Sequence, residues 1–327
     1  VAELTSPRDV HVDALLTNLS LGYNNPSYIA DQIAPLVPVM KRSDLIPAYD
    51  QSHWFRNLAA LRAPGTPSQR GGFTLSNTSY VCNRYSWGFD LIDEVRDNTD
   101  SPYNLDRDAT FYVTDKLQMN REANFATRYF TTGVWTGDKT GAASGGDFVW
   151  FSDYAGSNPI QTITTYIDEV EARIGREPNK LVLGKQVWMQ IMNHPRVLER
   201  TVYGGTNSVP ALINVNAFAA MVGLPSSGIL IGRAIHTTSP EGTAEASVVY
   251  SRLWGKNALL LYVPETPSLF TPAAMYTFVW NRVPNALQYV KRMRDEEREI
   301  DIIEGNTYYD QRITVPRAGL FMASAVQ

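Results

Sequence analysis

SPYNLDRDATFYVTDKLQMNREANFATRYF, residues 101–130, reads as one uninterrupted helix. Ser101 offers an N-cap oxygen and Pro102 falls in the first turn, where a missing N–H costs nothing. Leu105, Ala109, Tyr112, Lys116, Met119, Ala123, Ala126 and Phe130 then recur at three- or four-residue spacing, with Lys116 the one polar member, until Gly133 and Gly137 stop the pattern. At ~1.5 Å per residue the element is roughly 40 Å long, well above the usual globular helix. It is expected to act as a spine, with the neighbouring segments arranged along it.

Upstream, residues 1–42 hold one amphipathic stretch (Val12, Leu15, Leu16, Leu19), and Asn25-Pro26, Pro35 and Pro38 interrupt any longer helix, so the segment reads as an arm. A strand over 45–49 and a second from Phe73 are separated by Pro64-Gly65-Thr66-Pro67 and Arg70-Gly71-Gly72, which are turn signals. Between them lie His53, Trp54, Phe55, Arg56, Leu58, Leu61 and Arg62. A two-stranded ribbon has too little core to bury such residues, so they need another surface to lie on. Tyr85, Trp87, Phe89 and Leu91 alternate with Ser86, Gly88 and Asp90, the period of a half-buried strand.

Downstream, the glycine-rich run 141–146 reads as a flexible surface turn. A compact α/β unit follows: helix 162–174 closed by Gly175, strand 180–183, helix 185–193 ended by His194-Pro195, and helix 216–222 closed by Gly223 and Pro225. Strands 229–235, 248–254 and 259–263 complete it, and the chain returns through strand-like segments 276–280, 299–303, 313–315 and 320–325. The class is α+β. The mixed-sign run from Lys291 to Asp301 reads as a solvated face, with ion pairing to another subunit as the alternative.

The 327 residues, 44% hydrophobic and 19% charged, suffice for one large domain or two ordinary ones. The apolar run of note, 258–263, is far short of the ~20 residues of a membrane-spanning helix. A net charge of −4 carries no strongly basic nucleic-acid footprint. Cys82, the single cysteine, allows neither an intrachain disulfide nor a thiolate metal site from one subunit. No secretory signal opens the sequence, and Val1 implies a trimmed start. His11, His53, His194 and His236 form no helical zinc-ligand spacing, and neither Gly-x-Ser-x-Gly nor a phosphate-cradling loop occurs. Asp90 with Asp93 and Glu94, and Asp168 with Glu169 and Glu171, read as solvated carboxylates, His194 as a helix-ending residue and Cys82 as a small buried hydrophobe. No catalytic, cofactor-binding or metal residue is expected.

The order arm, extended hairpin, spine helix, α/β unit, returning strands resembles the major capsid proteins of tailed bacteriophages, the Hong Kong 97 type of fold. Pro178-Asn179-Lys180-Leu181-Val182-Leu183-Gly184, Val187-Trp188, Asn193-His194-Pro195-Arg196-Val197-Leu198-Glu199-Arg200, Ile229-Leu230-Ile231-Gly232-Arg233-Ala234, Leu253-Trp254-Gly255-Lys256-Asn257-Ala258-Leu259-Leu260 and Tyr276-Thr277-Phe278-Val279-Trp280 are similar to strings in one branch of that family. The resemblance covers roughly residues 20–327.

It implies an arm (1–42) and extended loop (43–91) lying on neighbouring subunits, and a peripheral domain (92–158 and 275–316) with its spine over about 102–130. An axial domain (159–274 and 317–327) would sit at the centre of pentamers and hexamers. His53, Trp54, Phe55, Arg56, Arg62 and Arg70 become assembly-interface residues on this reading. The implied product is an icosahedral virion shell enclosing double-stranded DNA without sequence specificity, built in the host bacterial cytoplasm with a scaffolding protein and a portal, and involving no membrane. Lysine is absent between Lys41 and Lys116, so the loop tip lacks the amine that some relatives use for isopeptide crosslinks, and a separate cement protein is the alternative reinforcement. No long, charged helical segment precedes the arm, which implies a separate scaffold or a removed propeptide. Two other readings stand beside this one: a nanocompartment shell on the same fold, and a hydrolase or lyase using scattered carboxylates or His194.

Overall fold

The computed structural model describes residues 16–17, 20, 25–49, 55–59, 61–68, 70–71, 75–98, 104–203, 213–264, 266, 273–281 and 288–327. In chain order come α1 (Ala30–Ile33), β1 (Leu36–Val39), β2 (Ser43–Tyr49), β3 (Leu75–Val81), β4 (Asn83–Ile92), α2 (Asp93–Asp97) and the spine α3 (Leu105–Tyr129). Next are β5 (Lys139–Ala142), β6 (Phe148–Val149), α4 (Pro159–Ile174), β7 (Lys180–Gly184), α5 (Lys185–Met192), α6 (Pro195–Tyr203) and α7 (Val215–Val222). The remaining strands are β8 (Ile229–Gly232), β9 (Ile235–Thr237), β10 (Tyr250–Arg252), β11 (Ala258–Leu261), β12 (Met275–Trp280), β13 (Gln288–Asp295), β14 (Ile300–Ile313) and β15 (Gly319–Ala323).

Two sheets carry the subunit. One runs β1-β12-β14-β13, with β4 also paired to β14 along Ile92↔Ile300 to Asn83↔Tyr309. The other runs β6-β5-β15-β11-β7-β8. Strands β7 and β11 lie inside this second sheet, and Leu181, Val182, Leu183 and Ala258 to Leu261 are buried on both faces, which is why they read as unbroken apolar runs. Helix α4 covers it through Ile160, Ile163, Ile167, Val170 and Ile174. Its ends follow from sequence: the Asn158 side chain accepts the Gln161 N–H, Pro159 takes the first turn, and Gly175 closes it at φ 64°.

The spine differs from its sequence reading at both its start and its face. Ser101 and Pro102 lie outside the described residues, and the helix begins at Leu105 with the Asn104 side chain accepting the Arg107 N–H at 3.1 Å. The buried stripe is Ala109, Thr110, Val113, Thr114, Leu117, Arg121, Glu122, Phe125 and Ala126, while Tyr112 is exposed. Four members of this stripe are polar, so a count of apolar residues displaces the face toward Tyr112, Lys116 and Met119.

The first 42 residues are not a coreless arm where they are described. Ile29, Ala30, Ile33 and Ala34 belong to the main core, and β1 pairs in parallel with β12. Leu16 packs with Ala109, Val290 and Ile303; Thr17 Oγ1 accepts the Val290 N–H at 3.1 Å, and the Gln288 amide donates to Ser20 Oγ at 2.8 Å.

The charged run 291–301 is also more than a solvated face. It forms the β13–β14 hairpin, in which buried Asp301 receives Arg96 at 2.7 Å and Arg292 at 2.6 Å, while Arg294 holds Asp93 at 2.5 Å. Burial works to raise the Asp301 pKa, but the bonds from Arg292 and Arg96 hold it below the usual carboxylate range. These pairs lie within one chain.

Other differences are smaller. Segment 299–303 is the start of the longer strand β14, which takes in only Ile313 of segment 313–315, the turn 141–146 begins inside β5, and segments 229–235 and 248–254 shrink to β8 with β9 and to β10. Helix α6 and strand β13 had no sequence counterpart, because Pro195 reads as a stop yet occupies a first turn, and β13 carries charge at Lys291, Arg292, Arg294 and Asp295 instead of an apolar alternation.

Helix α3 approaches β14 closely at Gly305, where an added Cβ would lie 2.5 Å from Val113 Cγ1 and 2.9 Å from Leu117 Cδ1. Gly305→Val is expected to cost about 1–3 kcal/mol through overpacking. A shift of the urea midpoint of the unassembled subunit measures it.

Candidate functional site

The site expected from sequence is the ribbon β2–β3, paired from Ser43↔Val81 to Tyr49↔Leu75. Its base is tied to the β1-β12-β14-β13 sheet. The Cys82 N–H donates to Arg42 O at 2.8 Å, Val81 N–H to Asp310 Oδ2 at 2.9 Å and Trp280 Nε1 to Met40 O at 3.0 Å, and the Tyr80 ring stacks on Phe278 at 4.8 Å. Cys82 is fully buried here, and burial pushes its thiol up to about 11, so it is a packing residue rather than a nucleophile.

Away from the base, the described side chains are exposed. Phe55 is 63% exposed and Leu61 fully so, with Leu58 similar to Phe55. A turn closes with Thr66 N–H donating to Ala63 O at 3.3 Å, Gly65 taking φ 81° and Arg62 Nε donating to Thr66 O at 2.5 Å. Arg56, Arg62 and Arg70 are exposed, and none forms an ion pair with a described residue. His53 and Trp54 lie outside the described residues. Of the six expected interface residues, the structure therefore places Phe55 and three arginines on an exposed excursion, and sets the Phe55 ring against Gly175 at the end of α4.

Strand β4 was expected to be half-buried, but only Leu91 is fully covered; Trp87 and Phe89 stay 49% and 37% exposed on the ten-residue strand. Phe89 meets Tyr112 of α3 edge-on at 5.7 Å. Trp87 and Phe89 thus stand as a pair of partly exposed aromatic side chains on one strand.

The group that sequence reading missed is Glu122. It is fully buried on α3, and its carboxylate accepts Ile29 N–H (3.0 Å), Ala30 N–H (2.7 Å) and Trp254 Nε1–H (2.7 Å). Burial pushes its pKa up to about 7 against the pull of these donors, and Asp31 adds to the rise. No signal in the local sequence could reveal it, since its donors lie 92 to 132 residues away.

Of the groups nominated for catalysis, His194, Asp93 and Glu169 are held in structural contacts. His194 is fully buried and its Nδ1 accepts the Arg196 N–H at 3.2 Å, so Nε2 carries the proton toward Ser157 Oγ at 3.0 Å. That tautomer cannot draw a proton from Ser157, whose hydroxyl donates to Asp153 O at 2.6 Å. Asp93 is bound to Arg294 and Arg96, and Glu169 to Lys139 and Arg173. Among the described residues no cluster of three metal-ligating side chains occurs, and no helix is long and apolar enough to cross a membrane.

No family model matches the chain. It is 24% identical over 255 residues to the major capsid protein of Burkholderia phage BcepMu, covering 77% of this chain and 76% of that one. It is 27% identical over 253 residues to the major capsid protein of Pseudomonas phage JBD67, covering 77% of each. A phage-related protein from Bordetella bronchiseptica superposes over 97% of this chain and 98% of its own with a TM-score of 0.72 at 19% identity. The capsid of cyanophage P-SCSP1u covers 90% of this chain and 88% of its own at a TM-score of 0.56 and 10% identity. The chain belongs with the major capsid proteins of tailed phages and has their Hong Kong 97 type of fold. The capsid protein is a structural, non-enzymatic component of the virion, and its product is the homo-oligomeric icosahedral phage head.

Because Glu122 titrates near 7 when folded and near 4.5 when unfolded, its contribution favours folding fully below pH 4.5 and is lost as pH rises through 7. His194, lowered chiefly by burial, acts in the opposite sense and is common to both proteins compared. The stability of the native subunit relative to Glu122→Gln should therefore fall by about 3 kcal/mol between pH 4.5 and 8, read from urea midpoints across that range.

Proposed function

We propose that the capsid protein assembles as pentamers and hexamers, with residues 159–274 and 317–327 as an axial domain and 92–158 and 275–316 as a peripheral domain around the spine. The excursion over 43–91 serves as the assembly interface through His53, Trp54, Phe55, Arg56, Arg62 and Arg70. The observation that carries this reading is the exposure of Phe55, Leu58 and Leu61 on the excursion beyond the β2–β3 ribbon, with Phe55 set against Gly175. Each such side chain gains about 1.5–3 kcal/mol when covered, and closed symmetry repeats that gain at every subunit.

The packaged molecule on this reading is double-stranded DNA held without sequence specificity. A net charge of −4 fits an inner wall that does not grip DNA tightly, since many lysine and arginine contacts would oppose ejection. A scaffolding protein and a portal act during assembly in the host cytoplasm, and a cement protein reinforces the finished shell. Loop isopeptides are not used, because lysine is absent between Lys41 and Lys116.

Deleting residues 51–70 should leave the subunit's urea midpoint close to that of the full chain while abolishing closed shells in negative-stain micrographs. Unfolding of the deleted protein would instead place the excursion in the subunit's own core. Mature particles boiled in detergent should run as a single monomer band, and a ladder of subunit multiples would show covalent crosslinking.

A further inference from the structure

Helix α4 ends in an unusual way. Asp168 and Glu171 stand in its last two turns, both exposed and neither paired with a described cation, where the negative end of the helix dipole disfavours carboxylates. Arg173, the one basic residue of the last turn, is taken up by Glu169 and by Thr136 O. Between Asp168, Glu171, Ala172 and Gly175 lies an open cavity of about 450 Å³, with Phe55 on its rim. Gly175 leaves the room: a Cβ there would come within 2.8 Å of the Phe55 ring.

The ribbon tip is the chemical complement of this place. From residue 51 to residue 89 there is no acidic residue, whereas Arg56, Arg62, Arg70 and Arg84 are all basic, and the first three lack ion pairs with described residues. The contact within one chain satisfies neither side, since Phe55 stays 63% exposed and the cavity stays open.

We propose that the ribbon tip of one copy seats on the C-terminal end of α4 of a neighbouring copy, Phe55 filling the cavity over Gly175 and the tip arginines neutralising Asp168 and Glu171. This rests on the shell reading above and names the acceptor surface for the excursion. Like-charge contact at such a place opposes docking, and opposite charge both steers and registers it.

Two charge-reversed full chains test it. One carries Arg56→Glu and Arg62→Glu, the other Asp168→Arg and Glu171→Arg. Each alone should lose shells by about ten-fold or more in sedimentation yield and micrographs, with an unchanged circular-dichroism spectrum. Mixing the two in equal amounts should restore shells, because each reversed tip then meets a reversed seat on another chain. If the contact forms within one chain, both proteins remain mismatched internally and mixing restores nothing.

A second pair keeps the test independent of charge: Phe55→Cys and Glu171→Cys, expressed separately, mixed and treated with a short bis-maleimide. A covalent dimer that forms in the mixture and exceeds that of either protein alone supports the seat; buried Cys82 does not compete. Wild-type shells with neither rescue nor a mixture-specific dimer overturn the seat and leave the shell reading standing. Wild-type protein that forms no shell under any salt or pH overturns both.

Discussion

The carboxylate of Glu122 holds together three parts of the chain. It sits on the spine, binds the backbone that opens α1, and accepts the indole proton of Trp254, which lies in the core of the second sheet. An unpaired charge at such depth would be costly, so the three donors and the acceptor are mutually necessary. Trp254 in turn packs on Phe125 and Phe130 at the end of the same helix, at ring distances of 5.5 and 4.9 Å. Remove the carboxylate and two backbone donors and one indole lose their partner together.

From this joint the rest follows in layers. The spine lies on β14 because Gly305 lets it approach, and β14 carries β13 and then β12 along one side and β4 along the other. That arrangement leaves β4 at an edge with Trp87 and Phe89 uncovered, and launches the β2–β3 ribbon from a base closed by Tyr80, Cys82 and Phe278. The subunit thus has a firm interior and surfaces that it cannot satisfy alone. A shell protein requires that division, since a subunit that buried everything would have no free energy left for association.

Much of the fold was legible because it obeys local rules. Asn158, Pro159 and Gly175 bound α4, the apolar runs mark β7 and β11, and Pro64 through Pro67 announces a turn where one occurs. The excursion was legible for the opposite reason, having aromatic and basic residues with no apolar partner nearby. What escaped was set by distance in the sequence. Arg292 and Arg294 look solvated until Asp93 and Asp301 are brought to them, and the polar stripe of α3 looks like a surface until α1 and Trp254 cover it. The opening residues escaped likewise: Thr17 and Ser20 are ordinary polar residues until Val290 and Gln288 supply their partners.

Strand β1 has a temporal consequence. Leu36 to Val39 pair with Thr277 to Trp280, about three-quarters of the chain later, and β4 waits about two-thirds of the chain for β14. Contacts of such separation form late, after a long loop has been closed. A nascent chain on the ribosome therefore cannot complete either sheet until its final third has emerged. Release of an unfinished polypeptide would leave β1 without β12, β4 without β14, and the base of the β2–β3 ribbon without Phe278 and Asp310. Completeness of synthesis is thus the condition for anchoring the ribbon, and it is set by topology.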